Sequence, residues 1–163
     1  MIKKFELDLS SKITVFGIEL FRVKALISFG DVKEGELGGY IAKEGNLSHS
    51  GNAWVYGDAR VSGNVEVSGN ARVYGNAWVS GNAWVYGDAE VSKLNDHIVF
   101  KNSWSSGRYF TYTRSNQKWR VGCFYGTSEE LIKKAYQDSE DSGRHYEAYV
   151  NFVKTLEALD TNN

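Results

Sequence analysis

The sequence lacks proline altogether and has one cysteine, Cys123, among its 163 residues. A single cysteine excludes an internal disulfide and a zinc site built from several thiolates. No apolar run is long enough for a membrane-spanning helix, and the N-terminal residues lack the apolar stretch of a secretory signal peptide. We therefore expect a cytoplasmic protein with no membrane partner.

The chain also lacks an excess of either charge, since 19 basic and 20 acidic residues leave a net charge of −1. This balance excludes a generic binder of polyanions, so no nucleic-acid polymer is expected as a partner. Hydrophobic residues make up 42% of the chain, too many for a disordered protein. Without proline, the turns must rely on the 17 glycines and on asparagine.

What the sequence does contain is a repeat, because seven consecutive hexads fill residues 51–92 without an insertion. Each hexad has Gly, then Asn or Asp, then Ala or Val, a variable residue, Val, and finally Tyr or Ser. The small residue and the valine are two positions apart, so a short strand turns both to the same side. Glycine and asparagine tolerate positive φ, which lets the chain turn a corner after every strand.

Three hexads with their three corners complete a triangular coil, and stacked coils would bury the alanine and valine rows, including Val73. A degenerate hexad that starts at Gly45 extends the stack toward three coils, and His49 would occupy its valine position. The alternative is a generic glycine-rich β protein, such as a flat β-solenoid.

The hexads resemble the hexapeptide repeat of left-handed parallel β-helix proteins. The resemblance implies a mainly β fold with a short left-handed parallel β-helix, which we place at residues 45–94. We expect residues 1–44 to form an N-terminal β cap, because the end of such a helix exposes unpaired backbone. Within it, Gly17 separates two short strands as in a β-hairpin.

The spacing of three hexads per coil also predicts which variable positions form outward columns. The first column holds Trp54, Arg72 and Glu90, the second Arg60 and Trp78, and the third Glu66 and Trp84. Outward tryptophans on a slender prism favour self-association, so we expect a homo-oligomer, specifically a homotrimer. The alternative is that flanking segments of the same chain cover these tryptophans.

Residues 95–163 are expected to form a small α+β module. Its three-strand meander would use residues 97–101, 108–114 and 119–124. Thr127 and Glu130 fit a capping box at the start of a helix, and a second helix is expected at residues 145–159.

The flanks add to the resemblance, since the whole chain is similar to small uncharacterised proteins of phages and prophages. Such proteins share a Phe-Gly-Asp-Val-Lys lead-in, Leu-Gly-Gly, the hexads, and a Gly-Cys-Phe-x-Gly-Thr segment. These pieces are residues 29–33, 37–39, 51–92 and 122–127 here. The resemblance implies a phage setting, hence the cytoplasm of a host cell, and carries no established activity.

Catalysis is not expected, although hexapeptide β-helices include acyltransferases with a histidine base. The three histidines, His49, His97 and His145, have no evident carboxylate beside them, and only His49 lies near the repeats. We therefore expect no catalytic residue, no cofactor and no metal, with an acyltransferase as an alternative. No phosphate-binding loop or nucleophile elbow is present.

A segment without acids carries the candidate binding site, since residues 97–128 hold five basic residues and no Asp or Glu. Arginines, aromatic rings and a helix N-terminus suit a phosphate and a base. The expected ligand-binding residues are Arg108, Arg114, Arg120, Trp104, Tyr112 and Thr127. The alternative is that the eight acids of residues 129–163 neutralise this basic face.

The chain is therefore expected to be a non-catalytic phage protein that sequesters a phosphorylated or nucleotide molecule. An ADP-ribose derivative or cyclic nucleotide that serves as a host immune signal is an example. The alternative is a structural or protein-interaction module of a phage.

Overall fold

The computed structural model describes residues 2–161, which form a stack of short parallel strands between a β-hairpin and a small α+β unit. The hairpin and first coil contain β1 (Phe5–Val15), β2 (Ile18–Ala25) and β3 (Leu37–Ile41). The repeat strands are β4 (Trp54–Val55), β5 (Arg60–Val61), β6 (Glu66–Val67), β7 (Arg72–Val73), β8 (Trp78–Val79), β9 (Trp84–Val85) and β10 (Glu90–Val91). The last unit contains β11 (His97–Lys101), β12 (Tyr109–Thr113), β13 (Lys118–Val121), β14 (Phe124–Gly126), α1 (Ser128–Asp138) and α2 (Glu140–Thr161).

The repeat strands pair in parallel across coils, as a β-solenoid requires. The predicted columns are confirmed, because Trp54 pairs with Arg72, Arg72 with Glu90, Arg60 with Trp78, and Glu66 with Trp84. Each pair joins equivalent positions that are three hexads apart. Glycine is required at the corners, since Gly51 has a φ of 70° and a Cβ there would lie 2.4 Å from the carbonyl oxygen of Gly69.

The alanine and valine rows form the solenoid core, as the spacing predicted. Val73 has no exposed surface, and every valine at the fifth position of a hexad is buried. These valines are Val55, Val61, Val67, Val73, Val79, Val85 and Val91.

The first coil departs from the repeat, and this overturns the expectation for His49. Leu47 bridges Val67, and Trp54 pairs with Arg72. The chain from Leu47 to Trp54 is therefore two residues longer than the matching chain from Val67 to Arg72. Leu47 takes the inward position, and the His49 ring instead stacks on Phe5, with 4.2 Å between ring centroids.

The expectation that Trp54 faces outward into solvent is wrong. Its side chain is only 1% exposed, because Phe5 and Phe29 pack against it with ring centroids 6.3 and 5.2 Å away. Trp78 and Trp84 are half-buried and are also contacted by the flanks. Flanking segments of the chain thus bury Trp54 and cover part of Trp78 and Trp84, in the sense of the alternative stated above.

The N-terminal hairpin continues one face of the solenoid. Strands β1 and β2 are antiparallel, β2 pairs with β3, and β3 pairs in parallel with β5, which gives the order β1-β2-β3-β5-β8. The parallel ladder therefore already includes β3, within residues 1–44. The three-part division of the chain stays a prediction, and its termini, residue 1 and residues 162 and 163, lie outside the described residues.

The C-terminal unit is an antiparallel sheet of order β11-β12-β13-β14 with two helices on one face. Neighbouring strands of the sheet follow one another in the chain, but there are four strands where three were expected, because residues 119–124 divide between β13 and β14 at a turn where Gly122 has a φ of 55°. Helix α1 starts after the predicted capping box, and α2 starts at Glu140, five residues before the expected His145.

Candidate functional site

The C-terminal sheet has two faces with different neighbours. Phe110, Tyr112 and Trp119 point to the helices and form a second core with them. Thr111 and Arg120, which pair across β12 and β13, point to the solenoid. Strand alternation therefore separates Tyr112 from Arg120, which the sequence had placed around one ligand.

Tyr112 and Arg114 are engaged by acids of α2. The Tyr112 hydroxyl donates a hydrogen bond to Glu157, and burial, followed by this carboxylate, raises the pKa of the phenol. The Arg114 guanidinium forms an ion pair of 2.6 Å with Asp160. At these two residues the acids of the last helix neutralise the basic face, as the alternative expectation stated.

The N-terminus of α1 is occupied by the helix itself. Thr127 Oγ1 accepts a hydrogen bond from the Glu130 backbone N–H at 3.3 Å, and Glu130 Oε1 accepts one from the Thr127 N–H at 3.3 Å. The Thr127 hydroxyl, which donates to Glu130 Oε1 at 3.0 Å, and the Thr127 N–H hold the pKa of the Glu130 carboxyl below its usual value. The adjacent cleft of about 190 Å³ is lined by two carboxylates, Glu129 and Glu157, and by one cation, Lys154, so its charge does not favour an anion.

Trp104 packs under α2 and presents no open stacking face to the sheet. Its ring stacks on His145 with 4.3 Å between centroids and meets Tyr146 edge to face at 5.0 Å. Trp104 therefore belongs to the helix-facing core, together with Tyr112.

Arg120 occupies a different setting, in the corner formed by two nearly perpendicular rings of the solenoid. Its guanidinium carbon lies 4.0 Å from the ring centroid of Trp84 and 4.2 Å from that of Tyr86. Within residues 2–161 it has no carboxylate partner, and its buried Nε has no hydrogen-bond acceptor. Stacking holds the guanidinium in place while its charge stays uncompensated.

Lys101 and Tyr109 lie on the same side of the sheet as Arg120, because Lys101 pairs with Tyr109 and Tyr109 alternates with Thr111, the partner of Arg120. Lys101 Nζ is 5.9 Å from the ring centroid of Tyr109, which is 46% exposed. The exposed Arg108 guanidinium lies beside Gly122, two residues after Arg120. We call Lys101, Arg108, Tyr109 and Arg120 the basic surface. Of the six expected residues, it contains Arg108 and Arg120.

Sequence reasoning did not include Lys101 and Tyr109 in the site, although their strand positions indicate which side of the sheet they face. Tyr109 alternates with Thr111, so both point to the same side, and Lys101 pairs with Tyr109. The contribution of Trp84 and Tyr86 has no sequence signal, because it depends on how the sheet docks on the solenoid.

Two histidines do have carboxylates nearby, contrary to expectation. His49 Nε2 lies 2.7 Å from Glu44 Oε1, and His145 Nδ1 lies 3.5 Å from Asp141 Oδ1. His49 Nδ1 also accepts the backbone N–H of Lys4 at 3.1 Å, so both ring nitrogens are engaged. Across residues 2–161 no group of three or more His, Cys, Asp or Glu side chains is arranged to hold a metal ion.

Comparison with known proteins supports the fold and leaves the activity open. A family model described as the YdcK beta solenoid repeat matches residues 67–81, which include β7 and β8. No curated protein matches the chain. Because of the match to this family model, the chain contains a β-solenoid repeat.

Neither α1 nor α2 is long and apolar enough to cross a membrane.

Proposed function

We propose that this chain is a non-catalytic binding protein that holds a small phosphorylated or nucleotide ligand on the basic surface. The observation that carries the proposal is Arg120, whose guanidinium lies over the rings of Trp84 and Tyr86 without an acid partner among the described residues. An arginine held against two rings has lost side-chain freedom before a ligand arrives, so less entropy is lost on binding.

The neighbouring groups fit the parts of such a ligand. Arg108 and Arg120 present forked donors that match phosphate oxygens, and Lys101 adds a third positive charge. The exposed ring of Tyr109 offers a stacking face for a base. This arrangement keeps the expected ligand class and replaces Arg114, Trp104, Tyr112 and Thr127 with Lys101 and Tyr109.

Binding without chemistry is consistent with the setting of His49, the histidine nearest the repeats. A general base needs a free ring nitrogen within reach of its substrate, and both nitrogens of His49 already have partners. This argues against the acyltransferase alternative. Sequestration of a host signal requires only affinity, which the cations and rings supply.

The handedness of the solenoid, the role of the hairpin as a cap and the phage origin of the protein are part of the same proposal. The Gly-Asn-Ala hexads favour a left-handed solenoid, with the hairpin as its N-terminal cap, and the flanks favour a phage protein in the host cytoplasm. The sequence argument for a homotrimer used three exposed tryptophans, and it is weaker now because Trp54 is buried within one chain. Sedimentation that shows an 18.3 kDa monomer at micromolar concentration would exclude the trimer.

Calorimetry with ADP-ribose, cyclic ADP-ribose and cyclic dinucleotides tests the proposed function. We expect one of them to bind with a Kd below about 100 μM, and Arg108→Ala to weaken it tenfold or more, since a charged hydrogen bond contributes about 1.5–3 kcal/mol. Arg144→Ala is the matched control, because Arg144 is exposed on α2. The absence of binding by every probe, or parental affinity of Arg108→Ala, would favour the interaction module instead.

A further inference from the structure

A second open site lies on another part of the molecule, where the N-terminal hairpin overhangs the solenoid. This cavity of about 500 Å³ is lined by residues of β1, β3, β5 and β8 and of the solenoid corners. Its lining includes Ile13, Tyr40, Asp58, Arg60, Asn76 and Trp78, and we call it the hairpin groove.

Arg60, at the centre of the groove, differs from the other outward arginines in this part of the chain. Arg22 pairs with Asp58 at 3.0 Å, and Arg72 pairs with Asp31 at 3.3 Å. Among residues 2–161, Arg60 has neither a carboxylate partner nor a hydrogen bond from its guanidinium. Its ladder neighbours are Tyr40 on one side and Trp78 on the other. The groove therefore has a half-buried positive charge that no carboxylate of the described chain neutralises.

Trp78 provides a fixed aromatic platform next to this charge. Its Nε1–H donates to the hydroxyl of Ser62 at 3.3 Å, which holds the ring in one orientation. Phe16 lies parallel to it, with 2° between the ring planes and 5.7 Å between the centroids. Phe16 is 88% exposed and has a φ of 48° at a hairpin tip, where glycine or asparagine is favoured. An exposed aromatic residue in this costly conformation points to a role in contact.

The surroundings of Arg60 limit the class of ligand. A peptide cannot add as a strand beside Arg60, because β5 is already paired with β3 on one side and with β8 on the other. A nucleic-acid strand is disfavoured, since the groove holds one unpaired cation and also the carboxylate of Asp58. A sugar ring suits the platform, because its apolar face can pack on an indole while its hydroxyls bond to Asn76 and Asp58.

We propose that the hairpin groove binds an acidic saccharide, a sugar chain whose rings carry carboxylates. One ring packs on Trp78, its carboxylate takes the forked donors of Arg60, and Asn76 at the rim hydrogen-bonds a hydroxyl. The site is separate from the basic surface, and the proposal does not rest on the proposed function.

Proton–nitrogen NMR of the full-length protein tests this, with the indole N–H of Trp78 as reporter and Trp78→Phe to assign it. Trigalacturonic acid should shift this resonance in a saturable manner, whereas neutral maltotriose at the same concentration should not. Arg60→Gln should weaken binding at least tenfold, and Arg144→Gln, which removes a distant surface charge, should leave it unchanged. Asn76→Asp adds a negative charge at the exposed rim and should weaken binding severalfold even if Arg60→Gln does not fold.

Three results would overturn the proposal. One is the absence of any Trp78 shift up to about 10 mM trigalacturonic acid. Another is equal affinity for maltotriose, which would remove the role of Arg60. The third is equal or tighter binding of a triglutamate peptide or of AMP, which would assign the groove to another class of anion.

Discussion

The two ends of the solenoid are closed by different chemistry. At the corners and strand starts, backbone N–H groups of one coil donate to carbonyls of the next coil, as Trp54 does to Ala71 and Arg72 to Ala89. Within the strands the parallel ladder also carries hydrogen bonds in the opposite direction. The groups without a partner in another coil therefore include the carbonyls of Gly51 and Ala53 at the first end, which need a donor, and the N–H groups of Trp84 and Glu90 at the last end, which need an acceptor.

The chain supplies both. At the first end the ammonium of Lys4, 1% exposed, donates to the carbonyl oxygens of Ala53 at 2.7 Å and Gly51 at 3.3 Å. At the last end the hydroxyl of Thr111 accepts the N–H of Trp84 at 2.9 Å, and that of Ser115 accepts the N–H of Glu90 at 2.8 Å. One end thus depends on a buried charge and the other on neutral hydroxyls, so the two ends should respond differently to mutation and to pH.

The largest effect is expected in the middle coil, which belongs to neither end. Val73→Asp places a carboxylate among aliphatic side chains with no partner, and we expect a loss of more than about 4 kcal/mol in the free energy of unfolding. Urea denaturation measures it, with the exposed Glu66→Gln as control. A loss below about 1 kcal/mol would show that Val73 is not part of a continuous core between the two ends.

At the first end, Lys4→Met keeps the length of the side chain and removes the donor. The carbonyls of Ala53 and Gly51 then lose their ammonium partner, which should lower the free energy of unfolding by about 2 kcal/mol. Lys3→Met is the control, because Lys3 is an exposed neighbour with only a long ion pair to Glu44. Equal stability of the two variants would show that the ammonium does not close this end.

At the last end, Thr111→Val keeps the shape and removes the acceptor of the Trp84 N–H. Thr111 is 2% exposed, so water cannot easily replace the hydroxyl, and a loss of about 1 kcal/mol is expected. Thr155→Val on the exposed side of α2 controls for the removal of a hydroxyl. Hydrogen exchange should quicken at the Trp84 amide in Thr111→Val and not in Lys4→Met; the reverse pattern would contradict the assignment of ends.

The sequence predicted the middle of the solenoid better than its ends. Column membership follows from the spacing of three hexads per coil, and the structure confirms it for Trp54, Arg72 and Glu90. The burial of Trp54 could not be predicted, because it depends on Phe5 and Phe29 folding back over the first coil. The two additional residues between Leu47 and Trp54 could not be predicted either, since a degenerate repeat does not show where its additional residues lie.

The candidate site was only partly predictable. The capping box at Thr127 was correct as local structure, yet the same Glu130 that completes it fills the helix N-terminus that a ligand would need. Charge segregation located the basic segment, but the pairing of Arg114 with Asp160 is a contact between residues far apart in sequence. The setting of Arg120 depends on docking between two units, which no local pattern encodes.

The smallest effect expected is a dependence on pH that belongs to the first end alone. Burial lowers the pKa of the Lys4 ammonium to about 8, while in the unfolded chain it stays near its ordinary value of about 10.4. Between these values the unfolded chain binds more protons than the folded one, so stability rises as the pH increases. From pH 7 to 9 the free energy of unfolding should rise by about 1 kcal/mol relative to Lys4→Met, and Thr111→Val should keep the same rise. Tyrosines do not disturb the comparison between pH 7 and 9. Burial raises the pKa of the Tyr56 phenol to about 12 in the folded chain, so its contribution to the free energy of unfolding falls only above its pKa in the unfolded chain, about 10. Urea midpoints at pH 7, 8 and 9 measure the difference. An identical pH dependence in the parent chain and Lys4→Met would show that the carbonyl end is not closed by a buried charge.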